Sequence, residues 1–214
     1  MAALFFGSTM LKAVSQVSKA LAQECVPHEL DLERITSMFE KITAVDEVVF
    51  VRYNTAPQNP FWGEFTRWTM QPAVYAAFKT MVEIRYASHL LDKEDWLRFV
   101  VCKELCHSLE APSGKHDVSE RGVDDLVDKF SLISASKAID DITASYQLEI
   151  LAEVGAVELL CPLNIRKQII AETGSPDATK CKEIAAKYNL PFEYVLGSFD
   201  PGHMSIVEHL MNGG

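Results

Sequence analysis

The sequence predicts an α+β protein, mostly helical, with a small three-stranded, mainly antiparallel sheet packed on a helix over residues 92–110. Three observations carry this expectation. Apolar residues recur every three or four positions along most of the chain, as a buried helix face requires. Between positions 47 and 87 the period changes, and short runs rich in β-branched and aromatic residues stand out. Turn-forming Pro, Asn and Gly residues bound the first of those runs. At 214 residues and 48% hydrophobic, the chain is long enough for one substantial core. The expected organisation is an N-terminal helical region at 1–45, a core at 46–162, and a helical extension of the same domain at 163–214.

Over 8–23, Met10, Leu11, Val14, Val17 and Leu21 share one helical face. A second amphipathic helix is expected over 29–42. Strands follow at 47–53, 67–70 and 81–87, the first ended by the turn-rich 54–60. The segment 61–65, Phe-Trp-Gly-Glu-Phe, is the expected exposed aromatic loop, a flap over the core or a partner-binding patch. Asp92, three residues before Asp95, signals a helix start ahead of Trp96, Phe99, Val100, Cys106 and Leu109. Pro112, Ser113 and Gly114 would end that helix, and 115–128 is polar. Further helices are expected at 122–132, 143–160, 165–173 and 178–188, with shorter ones finishing the chain. No internal repeat or low-complexity tract is found.

Thirty acidic against 20 basic residues give a formal charge of −10. With no basic cluster, direct binding to nucleic acid is disfavoured. Five cysteines, an odd number with no C-x-x-C pair, suit a reducing compartment, and the expected location is the cytoplasm. The N-terminus lacks the basic region of a secretory signal, and no run reaches the roughly 18 to 20 apolar residues that span a bilayer. No membrane partner is expected.

The most informative stretch is Arg98-Phe99-Val100-Val101-Cys102-Lys103-Glu104-Leu105-Cys106-His107. In the zinc-peptidase pattern H-E-x-x-H, two histidines four apart on a helix face one metal ion and the glutamate activates its bound water. Glu104 and His107 fit that pattern. Lys103 stands at the first histidine's position, and a lysine ammonium has donors but no lone pair for a metal.

A second segment, Glu149 through Pro162, joins the first in order. Together they resemble the ImmA/IrrE family of metallopeptidases, whose members commonly carry R-F-T-x-A-H-E-L-G-H and then E-x-x-A-N-x-F-A-x-x-L-L-x-P. The first pattern is matched at Arg98, Phe99, Glu104, Leu105 and His107. The second is matched at Glu149, Ala152, Ala156, Leu159, Leu160 and Pro162, and the resemblance covers about 46–162. It implies that His107 corresponds to the second histidine ligand, Glu149 to a downstream carboxylate ligand and Glu104 to the general base. The chain departs from the pattern at Lys103, at Cys106 in place of glycine and at Glu153 in place of asparagine. The long segment between the motifs leaves Asp140 and Asp141 as alternatives to Glu149.

Zinc is not the expected cofactor, although it is the alternative. A dication about 4 Å from a charged Lys103 would meet roughly 8 kcal/mol of repulsion at an effective dielectric near 20. Deprotonating the lysine instead costs about 4.6 kcal/mol at pH 7. The expectation is that Lys103 pairs with Glu149 or Glu104 and takes over the metal's electrostatic role. Thiolate ligation by Cys102 and Cys106 is the lesser reading, since small buried residues on a helix face explain them more simply. A Cys106–His107 nucleophile is disfavoured because adjacent helical residues point about 100° apart. His89, His116, His203 and His209 lack ligand spacing and are expected at the surface or as caps.

Two functions follow from the resemblance. The first is a degenerate metallopeptidase-like regulator that binds a protein partner, such as a transcriptional repressor, without hydrolysing it. The alternative is an active metal-dependent endopeptidase that cleaves such a partner and recruits a further ligand from Cys102, Cys106, His116 or Asp141. A DNA-binding regulator is disfavoured by the acidic balance. The oligomeric state is left open by the sequence.

Overall fold

The computed structural model describes residues 2–24, 28, 30–54, 62–109 and 144–212. The expected polar stretch 115–128, the helix at 122–132, the stop at Pro112 to Gly114, and His116, Asp140 and Asp141 lie outside these residues.

The fold is mostly helical with one small sheet. Helices α1 (Ala2–Glu24) and α2 (Leu32–Ile42) come first, followed by strands β1 (Glu47–Tyr53), β2 (Gly63–Met70) and β3 (Lys79–Ala87). A 3-10 turn at Ser88–Asp92 leads into α3 (Glu94–His107). Then come α4 (Ala144–Leu160), α5 (Leu163–Thr173), α6 (Ala178–Tyr188), α7 (Phe192–Ser198) and α8 (Pro201–Met211). No helix among the described residues is long and apolar enough to cross a membrane.

The sheet has the order β1-β3-β2. β2 pairs antiparallel with β3, whereas β1 runs parallel to β3, so the sheet is mixed and only one of its two pairings is antiparallel. Apolar content explains why β3 sits in the middle. Met81, Val82, Ile84 and Ala87 of β3 are buried, while β1 has no fully buried residue and β2 has only Gly63. A strand buried on both faces takes the centre, and strands that tolerate water take the edges.

Two expected details differ. The start of α3 is flanked by Lys93, with no side-chain cap bond, and Asp92 closes the preceding 3-10 turn. The aromatic segment is not an exposed loop: Gly63 opens β2, and Trp62 packs edge-on against Trp96 with ring centroids 4.8 Å apart. Gly63 permits this approach, because a Cβ there would lie 2.5 Å from Val100 Cγ1 and 3.3 Å from Glu104 Cγ. Phe61 and residues 55–60 lie outside the described residues.

α4 is the central helix. Every residue from 151 to 160 is buried, against α1 on one side and α3 on the other. Its apolar residues fall on every side over this stretch, so the helix is enclosed even though Glu153 and Glu158 are taken in with it. The core extends from Met10, Val14 and Val17 of α1 through Leu105 and Val157 to Tyr194 and Val207, crossing all three expected regions.

Candidate functional site

α3 and α4 each present a pair of polar residues four apart, and the pairs face each other. From α3 come Lys103 and His107, and from α4 come Glu149 and Glu153. The Lys103 ammonium hydrogen-bonds Glu149 Oε1 and lies 3.3 Å from Glu104 Oε1. His107 Nε2 lies 2.9 Å from the other oxygen of Glu149. Glu149 thus spans the two α3 side chains, one on each oxygen. The structure brings together Lys103, Glu104, His107 and Glu149, all four residues singled out in the sequence.

β2 and the end of α3 hold this arrangement. The Phe65 ring lies parallel to the His107 imidazole, 6.0 Å between centroids. Arg67 Nη1 donates to the Ser108 carbonyl at 2.9 Å, placing a cation at the helix C-terminus where the backbone dipole favours it.

Burial and charge pull in opposite directions here. Burial alone would lower the pKa of Lys103, but the carboxylates of Glu104 and Glu149 overcome it and the net shift is upward. For Glu149 burial acts upward, and Lys103 and His107 together draw it below the ordinary carboxylate range. The outcome is a half-buried cation between a buried carboxylate, Glu104, and a half-buried one, Glu149, in which each charge replaces the solvation another has lost.

Glu153 behaves differently. Burial pushes its pKa up to about 8, despite the attraction of Lys103. Its Oε1 accepts from the Tyr194 hydroxyl at 3.3 Å, and its Oε2 has no hydrogen-bond partner among the described residues. At neutral pH this side chain is mostly the neutral acid. Sequence reasoning marked Glu153 only as a departure and missed Tyr194. The legible signal was the Glu149/Glu153 spacing on an otherwise apolar helix.

Among the described residues, His107 and Glu149 are the side chains at this site that the resemblance assigns to a metal, and they lie 2.9 Å apart. Lys103 lies beside them, its ammonium on Glu149 Oε1. Among the described residues, no group of three or more His, Cys, Asp or Glu side chains is placed to hold a metal ion.

Cys102 and Cys106 are buried in α3, and burial pushes the Cys102 thiol up to about 12. Cys106 fills the space opposite Gly155, where a Cβ would come within 2.6 Å of its Sγ. The absence of a side chain at Gly155 of α4 makes room for that sulfur. His203, expected at the surface, is buried, and burial lowers its pKa to about 3.

A second buried ion pair lies away from this cluster. Arg166 is fully enclosed and donates to Glu158 Oε2 at 3.1 Å and to the carbonyls of Cys161 at 3.0 Å and Ser198 at 2.8 Å. Glu158 also accepts from the Leu163 amide at 2.9 Å, and the set ties α4, α5 and α7 together. With these charges satisfied internally, the pair reads as architecture.

No family model, no curated protein and no solved structure matches this chain.

Proposed function

We propose that this protein is a degenerate metallopeptidase-like regulator of the ImmA/IrrE type that engages a protein partner near the Lys103–Glu149 site of α3 and α4 without hydrolysing it. One observation supports the reading above others: the Lys103 ammonium lies between Glu104 and Glu149, in the seat the resembled pattern gives to a metal-binding histidine. Zinc peptidases need a metal to acidify water and polarise the scissile carbonyl. An ammonium supplies a single positive charge and cannot coordinate water. Glu104, the general base by the resemblance, is held against that ammonium instead, 3.3 Å from it. A transcriptional repressor is the class of partner that the resemblance favours.

The test is metal content. Protein purified without added metal should hold far less than one equivalent of zinc. Lys103→His would restore two histidines four apart on α3 facing Glu149, and should gain stoichiometric zinc that a chelator removes. Stoichiometric zinc in the unaltered chain, with chelator-sensitive cleavage of a polypeptide, would overturn this reading in favour of an active endopeptidase.

A further inference from the structure

We draw no further inference here: the strongest candidate, the buried Arg98 guanidinium on α3, whose Nε and Nη2 have no hydrogen-bond partner among the described residues, adjoins no space that water could enter at those nitrogens, and nothing in the structure shows what anion would meet them.

Discussion

Replacing Lys103 with methionine keeps most of the side chain's length and removes its charge, which leaves Glu104 and Glu149 without the cation between them. At 3.3 Å and an effective dielectric near 20, the Lys103–Glu104 attraction alone is about 5 kcal/mol before desolvation is subtracted. His107 still lies 2.9 Å from Glu149, whereas Glu104 loses the cation beside it. That acid can escape by taking up a proton. From a reference pKa near 4.3, protonation costs about 3.7 kcal/mol at pH 7, within the roughly 3–5 kcal/mol expected for breaking a buried pair. The same step costs only about 1 kcal/mol at pH 5. Urea denaturation followed by circular dichroism should therefore show Lys103→Met less stable than the unaltered chain by about 4 kcal/mol at pH 7 and about 1 kcal/mol at pH 5. A difference below about 1 kcal/mol at pH 7, or one of equal size at both pH values, would refute the claim that this ammonium neutralises buried carboxylates.

Glu153, with a pKa raised to about 8 by burial, contributes stability that is fully present below about pH 4.3 and is lost as pH rises toward 8. Glu153→Gln should remove that loss, on the order of 1.4 kcal/mol per pH unit, and denaturation midpoints at pH 5 and pH 8 check it. Glu149 has the opposite sign: its lowered pKa contributes stability above about pH 4.3 that is lost on further acidification, so Glu149→Gln should flatten the acid limb of a stability profile. Gly155→Ala should destabilise by about 1–2 kcal/mol in thermal melts, because its Cβ meets Cys106 Sγ. In a Cys106→Ala background the same change should be neutral or stabilising, since alanine favours the helix by about 1 kcal/mol. Arg166→Met should cost about 3–5 kcal/mol by leaving Glu158 buried and unpaired, and Glu158→Gln added to it should recover part of the loss.

Periodicity made the helices legible, and the 3.6-residue face of Met10, Val14, Val17 and Leu21 is the buried face of α1. It did not reveal the strand order. β1 and β2 both read as strands beside a short connection, yet β3 lies between them, because its residues are the ones that can be buried on both sides. The aromatic segment was misplaced for a related reason: composition cannot tell a loop tip from an edge strand. Trp62 and Phe65 pack inward around Gly63, and exposure belongs to Val74, Tyr75 and Phe78, which sequence reasoning passed over.

By itself, the sequence determined the mostly helical α+β class and the identities and spacing of Lys103, Glu104, His107 and Glu149, because a helix converts a separation of four residues into a shared face. The tertiary structure alone decided that Glu149 bridges Lys103 and His107, that Glu153 is buried as a neutral acid beside Tyr194, and that Cys106 fits against Gly155. Each of these depends on how closely two helices approach and how much water remains between them, and both are set by packing across the whole core.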